Sequence, residues 1–231
     1  MHRPCFSIYG RDVQDMEEEE IPGDVQEKIL RFAKCALAVG QMQNKAYVGF
    51  GAVSMGIMGS FLDPAFYMHY LGMRPEWVDM TEILRRMEQG IYDKEEFEEA
   101  IQWVRANCKE GYDPNSKERA HSREDKDREW EVVVKMTMIV RDVMLGNDRL
   151  AEIGFQEEAL GRNGLFGGFQ GQRMWTDYQP NADFTEALLN SSFDWNGKRQ
   201  PVVFATENDN LNGLSMLFGN LLTGKASGFS D

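Results

Sequence analysis

Three short runs without a charge constrain this chain most: Ala46-Tyr47-Val48-Gly49-Phe50, Leu165-Phe166-Gly167-Gly168-Phe169 and Val202-Val203-Phe204-Ala205. Each has the length of a strand and none alternates polar with apolar residues, so each must be covered on both faces. Strands of that kind belong to parallel sheets with helices packed on either side. Around the first run the chain shows the pieces of a β-α-β unit. A glycine-rich turn and a helix ending near Leu71-Gly72 follow it, then a second short strand over Glu76–Met80, then a helix that Thr81 could cap. Such a unit implies parallel strands and a right-handed crossover. The spacing therefore predicts an α/β fold, a Rossmann-like three-layer domain with a mostly parallel sheet.

The remaining elements follow from period and punctuation. Phe6-Ser7-Ile8-Tyr9, closed by Gly10, reads as a short strand. Val25, Ile29, Phe32, Ala33, Ala36 and Leu37 recur every 3.6 residues, which gives an amphipathic helix with Asp24 near its start and the polar stretch Gln41–Lys45 at its end. Further helices are expected over Lys94–Cys108, from about Glu118 to Leu145, around Ala187–Leu189, and over Asn212–Leu222 with Gly224 as a stop. The mixed charges between Lys109 and Glu131 read as a solvated loop and helix face. No internal repeat is visible.

Composition removes several classes. Lys plus Arg number 25 and Asp plus Glu 38, giving a net charge of −13; this speaks against non-specific binding to nucleic acid or an anionic membrane. The three cysteines, at 5, 35 and 108, form no C-x-x-C pair, a pattern of buried or idle thiols in a reducing compartment. The longest uncharged stretch, between Lys45 and Asp63, contains Gly49, Gly51, Gly56 and Gly59 and falls short of the roughly 20 apolar residues of a spanning helix. The N-terminus lacks the pattern of a secretory signal, so a cytoplasmic location is expected.

Two places carry candidate chemistry. Gly49-Phe50-Gly51-Ala52-Val53-Ser54 nearly matches the dinucleotide fingerprint, with Ser in the third glycine's place. It follows a strand and is expected to open a helix, where backbone N–H groups could hold a pyrophosphate. The ribose-binding acid would then be Asp79, 28 residues beyond Gly51, against an expected spacing of about 20. Such loops also serve as tight strand–helix turns, and the sequence favours that reading. The second place is where strands end. Glu207, Asn208 and Asp209 follow the Val202–Thr206 run; Gln170, Gln172, Arg173, Trp175 and Asp177 follow the Leu165–Phe169 run. Functional groups of parallel sheets gather beyond the carboxyl ends of strands, and this mixture of carboxylate, amide, guanidinium and indole suits a sugar. The alternative is local: Asp209 as the cap of the following helix. His2, His69 and His121 are too separated for a zinc site or a catalytic triad.

Five longer stretches carry a resemblance. Phe6-Ser-Ile-Tyr-Gly-Arg-Asp-Val-Gln-Asp, Val53-Ser-Met-Gly-Ile-Met-Gly-Ser, Gly168-Phe-Gln-Gly-Gln-Arg, Asn190-Ser-Ser-Phe-Asp-Trp-Asn-Gly and Ala205-Thr-Glu-Asn-Asp-Asn-Leu-Asn-Gly resemble the L-fucose isomerase family. The match runs from Phe6 onward but covers only the middle of that family. The chain is thus expected to be a fragment of a larger multidomain enzyme: the end of an N-terminal α/β domain over 1–42, a middle Rossmann-like domain over 43–220, and the start of a C-terminal domain over 221–231. The resemblance implies a Mn²⁺-dependent aldose–ketose isomerase that interconverts L-fucose and L-fuculose, the first step of L-fucose catabolism, accepts D-arabinose, and works as a hexamer. It implies Glu207 and Asp231 as the carboxylates that bind the metal and act as acid and base, Gln170 near the sugar, and Met55 in a loop approaching it. The family's third metal ligand is a histidine that none of the three here matches, so the chain alone is expected to be inactive.

Overall fold

The structure, a computed structural model, describes residues 5–12, 14–15, 17–54, 56–171 and 179–228. Its framework is a four-stranded parallel sheet. Strand β1 (Ala46–Phe50) lies between β2 (Arg74–Val78) and β3 (Gly164–Phe169), and β6 (Val203–Ala205) completes the order β2-β1-β3-β6. A two-residue hairpin, β4 (Phe193–Asp194) with β5 (Gly197–Lys198), stands apart from the sheet.

The helices are α1 (Gly23–Met42), α2 (Pro64–Phe66) running into a π-turn (Tyr67–Leu71), α3 (Thr81–Gln89), α4 (Lys94–Asn107), α5 (Arg123–Leu145), α6 (Asp148–Glu152), α7 (Gln156–Ala159), α8 (Asp183–Asn190) and α9 (Asn210–Thr223). They lie on both faces of the sheet because the strands are apolar on both. Along β1, Val48 and Phe50 join a cluster with Ile83 of α3, Phe97 of α4, Val134 of α5 and Leu189 of α8. Tyr47, pointing the other way, packs with Tyr67, Leu71, Phe166 and Leu217 of α9. This period-2 division makes the α/β/α layering expected from the sequence. Phe50, Phe169 and Phe204 meet at centroid distances of 4.8 to 5.9 Å, and each stabilises the fold by about 1.5–3 kcal/mol through burial.

Several elements depart from expectation. Phe6–Tyr9 is not a strand. The segment lies along α1 instead of a sheet edge, with Phe6 against Phe32 at 5.6 Å and the Tyr9 carbonyl accepting from Lys28 Nζ at 2.7 Å, so no neighbouring strand pairs its backbone. Helix α1 forms, but its apolar stripe is largely uncovered: Ile29, Phe32 and Leu37 are exposed and only Ala38 and Met42 are buried. Helix α5 begins at Arg123, not near Glu118, because Ser122 and Asp125 form a capping box there. Strand β2 ends two residues before the expected Met80, since Asp79 Oδ1 accepts from both the backbone N and the hydroxyl of Thr81 and starts α3. Thr81 is therefore the first helical residue and Asp79 does the capping. Cys5 and Cys35 are exposed and Cys108 is half-buried; all three are unpaired.

Candidate active-site edge

The parallel registers align the carboxyl ends of three strands. Phe50 pairs with Phe169, and Gly168 pairs with Ala205. The residues that come next, Gly51–Ser54, Gln170 and Thr206–Glu207, thus emerge at one edge. The connection from β1 runs outward to β2 and that from β3 runs the other way to β6, so this edge is the topological switch point where α/β proteins place their ligands.

The glycine-rich loop does not make a phosphate cradle. No helix opens at Ser54; the first helical turn is a 3-10 turn at Met58–Ser60. Three of the loop's N–H groups are already bonded within the fold: Gly51 N to Val78 O at 2.8 Å, Ala52 N to Gln170 Oε1 at 2.8 Å, and Ser54 N to Ser60 Oγ at 3.1 Å. Asp79, the acid that would have held a ribose, starts α3. The glycines serve close approach: Gly51 has φ +88°, and a Cβ there would sit 2.6 Å from Gln170 Cβ. The dinucleotide reading is set aside.

Gln170 is brought to this edge, but its amide faces the loop. Oε1 accepts from Ala52 N, and Nε2 donates to Val53 O at 3.2 Å. It bridges the ends of β1 and β3 and fixes the path of the loop that leads toward position 55. Met55, Gln172, Arg173, Trp175, Asp177 and Asp231 lie outside the described residues.

Residues 206–210 define the other side of the edge, and four of their five side chains are bonded. Thr206 Oγ1 donates to Glu186 Oε2 at 2.7 Å. Asn208, fully buried, accepts from the Tyr47 hydroxyl and donates to Ala52 O at 2.8 Å. Asp209 caps α9 by accepting from Asn212 N at 3.0 Å, so the local role weighed for it is real. Asn210 Oδ1 accepts from Tyr67 Oη at 3.0 Å. Glu207 is the exception: its half-buried carboxylate has no hydrogen bond or ion pair among the described residues. Its backbone is left-handed, φ +54° and ψ +28°, and Asn208 follows at φ +58°. Asparagine tolerates that region, whereas glutamate there is uncommon and must be held by its surroundings. The two tyrosines below the turn remain proton donors, because burial pushes both phenols far above their ordinary range, helped at Tyr47 by Tyr67 and then Asp209 and at Tyr67 by Asp209.

Close packing sets the turn's position. A Cβ on Gly168 would lie 2.8 Å from Ala205 O and 2.9 Å from Asn208 Cα; one on Gly59 would lie 2.1 Å from Asp209 Oδ1. Asn208 was among the strand-end residues singled out in the sequence; the site roles of Tyr47, Thr206 and Glu186 were not. The one visible signal was Glu186, an acid in the apolar run Phe184–Leu189.

Among the described residues, no group of three or more His, Cys, Asp or Glu side chains could hold a metal ion, and His69 and His121 are exposed at the surface. Glu207 is the one implied ligand within the described residues, and its open carboxylate oxygens are the donor type that Mn²⁺ takes.

Comparison with known proteins agrees with this architecture. Residues 45–224 match the model of the second N-terminal domain of L-fucose isomerase, and residues 3–44 that of the first N-terminal domain. The chain is 60% identical over 228 residues to the L-fucose isomerase of Streptococcus pneumoniae serotype 4, and 59% identical over 228 residues to that of Vibrio vulnificus. It is 59% identical over 230 residues to that of Bacteroides fragilis strain YCH46. Each match takes in 99% of this chain but 39% of the relative, so the chain spans about two-fifths of the length of these relatives. With both domain models matched in order and the identity this high over 99% of its length, the chain belongs to the L-fucose isomerase family.

Proposed function

We propose that the whole protein is a Mn²⁺-dependent aldose–ketose isomerase that converts L-fucose to L-fuculose, the first step of L-fucose catabolism, and also D-arabinose to D-ribulose. The single observation that carries this reading is Glu207. It is a carboxylate with no partner among the described residues, at the switch-point edge of a parallel sheet, held left-handed by a turn whose other side chains are all bonded. The reaction moves a carbonyl from C1 to C2 by taking a proton from C2 and delivering one to C1 through an ene-diolate. A positioned carboxylate carries that proton, an effect worth about 10²–10⁴-fold.

In this assignment Glu207 and Asp231 are the acid–base pair and the carboxylate ligands of Mn²⁺. Gln170 positions the loop beside the sugar, and Met55 approaches the sugar from that loop. When bound, the metal supplies Lewis-acid stabilisation of the negative charge on the sugar oxygens. The chain comprises the end of one N-terminal domain (1–42), the Rossmann-like middle domain (43–220) and the start of the next (221–231). The proposed assembly is a cytoplasmic hexamer that binds neither nucleic acid nor membrane. Among the described residues no helix is long and apolar enough to cross a membrane.

The test is ketose formation by a full-length isomerase carrying this segment, with L-fucose and Mn²⁺, beside its Glu207→Gln variant. Turnover in the parent and none in a folded Glu207→Gln protein is the expected result. Full activity in Glu207→Gln would overturn the assignment. Tight sugar binding without turnover in the parent would favour a non-catalytic sugar-binding module. Micromolar NAD or NADP binding would favour an oxidoreductase.

A further inference from the structure

Strand β6 is an edge of the sheet, and helix α8 occupies the place of its missing neighbour. Asn190 donates from Nδ2 to Phe204 O at 2.7 Å and accepts from Phe204 N at 3.0 Å. One turn earlier, Glu186 accepts from the Thr206 hydroxyl at 2.7 Å. The two spacings match: four residues of helix rise about 6 Å, and two residues of strand span about 6.6 Å. At the helix's end, the Leu189 carbonyl accepts from Val202 N at 2.8 Å. Helix α8 is itself fixed to α5, where the buried Thr185 and Thr137 hydroxyls bond at 3.0 Å.

Within this row Glu186 stands out. It is 5% exposed, and among the described residues no cation pairs with it and Thr206 Oγ1 is its side chain's hydrogen-bond partner. It lines a cleft of about 450 Å³ together with Asp183, Asn190, Thr206 and residues 226–228. Burial pushes its pKa up to about 7, the Thr206 hydrogen bond opposes that rise, and the charges of Asp183 and Glu207 add to it. A buried carboxyl without a cation is unfavourable for stability, and an apolar residue would fill the same space. What the carboxyl provides is an acceptor for the residue directly before Glu207.

Resting on the proposed role of Glu207, we infer that Glu186 is a positioning residue: through the Thr206 hydroxyl it holds the left-handed turn that aims the Glu207 carboxylate. It need not touch the sugar. Its action depends on an acceptor oxygen at that point, not on bulk or on the stability of the fold.

The test uses a full-length isomerase carrying this segment, with Thr206→Val, Glu186→Leu, the double variant, Glu186→Gln and Glu207→Gln assayed for L-fucose isomerisation and thermal stability. Thr206→Val and Glu186→Leu are each expected to lower kcat about tenfold or more with KM within about twofold, the signature of a misplaced catalytic group. The double variant should lose no more than either single one, because both remove one interaction. Glu186→Gln keeps a carbonyl acceptor and should recover kcat to within about threefold of the parent. The inference is overturned if Thr206→Val leaves kcat unchanged, if the two losses multiply, if Gln is as poor as Leu, or if kcat falls only where melting temperature falls. Thr206→Val is nearly isosteric and decides the matter by itself should Glu186→Leu not fold. An active Glu207→Gln would instead overturn the reading of Glu207, which separates the two failures.

Discussion

Gly168 in β3 offers the sharpest test of how the sheet sets the site. It is paired with Ala205, and an added methyl would meet Ala205 O at 2.8 Å, Asn208 Cα at 2.9 Å and Asn208 Oδ1 at 2.9 Å. Two of those atoms are backbone, so no rotamer change relieves the contact. Carbon–carbon contacts are optimal at about 3.5–4.0 Å, and β6 or its turn must therefore retreat by roughly half an ångström or more. The strain of such overpacking is about 1–3 kcal/mol. The displaced atoms belong to the residue after Glu207, so the carboxylate moves with them. Misplacing a catalytic group by about 1 Å costs on the order of 10²-fold, and half that shift should cost on the order of tenfold. Gly168→Ala in a full-length isomerase is accordingly expected to keep KM for L-fucose and lose kcat, with a lower melting temperature. Gly40→Ala is the control: it lies in α1 with no atom within 4 Å of the added methyl, and should be neutral or gain about 0.5–1 kcal/mol from reduced backbone freedom. If Gly168→Ala retains the parental kcat, the claim that β3 packing fixes Glu207 is wrong.

Other outcomes follow from the same contacts. Glu186 has its pKa raised from 4.5 to about 7, so the folded state binds the extra proton between those values. Stability should therefore be fully present below about pH 4.5, fall as pH rises toward 7 and level off above it, by about 3 kcal/mol in all; chemical denaturation across that window should lose this slope in Glu186→Gln. Burial acts to raise Glu96, but Arg141, at 2.7 Å, with Trp195 and Asn196, holds it at about 2, a contribution present above about pH 4.5 and lost as pH falls through 2. Arg141→Met strands Glu96 beside the buried Asp142, and should destabilise by about 3–5 kcal/mol, read as a lowered denaturation midpoint. The 231-residue chain alone, assayed with L-fucose and saturating Mn²⁺, should form essentially no ketose, since the two proposed carboxylate ligands would leave most coordination positions to water; turnover near that of a full-length enzyme would contradict the need for further ligands.

What was legible in the sequence was whatever local composition controls. The three uncharged runs could be stable only between two helical layers, and all three are strands of one parallel sheet. Helix starts were legible less reliably, because Ser122 and Asp79 outcompeted the residues that period alone favoured. Phe6–Tyr9 failed as a strand because strand formation requires a partner, and no local pattern shows whether one exists. The site divides in the same way. Glu207 and Gln170 could be placed at strand ends from the chain order. That Gln170 faces the loop, and that Tyr47 lies under Asn208, depend on pairings over more than a hundred residues, which no local pattern encodes.

The turn at Glu207 also shows which physical effect dominates at this edge. Stability by itself would place glycine at φ +54°, an apolar residue at 186 and a partner on the Glu207 carboxylate. Among the described residues the chain has none of these. Residues in sparsely populated backbone regions cost of order 1–3 kcal/mol each and persist only where the surroundings over-determine them. Here the surroundings do so from four directions: the Asn208 bonds to Tyr47 and Ala52, the Asp209 cap on α9, the Asn210 bond to Tyr67, and the Glu186 bond to Thr206. A turn held this firmly around a carboxylate with no partner among the described residues keeps that carboxylate at a fixed point. Pre-organisation of that kind is what a proton-transfer group requires, since geometry must be set before the proton moves.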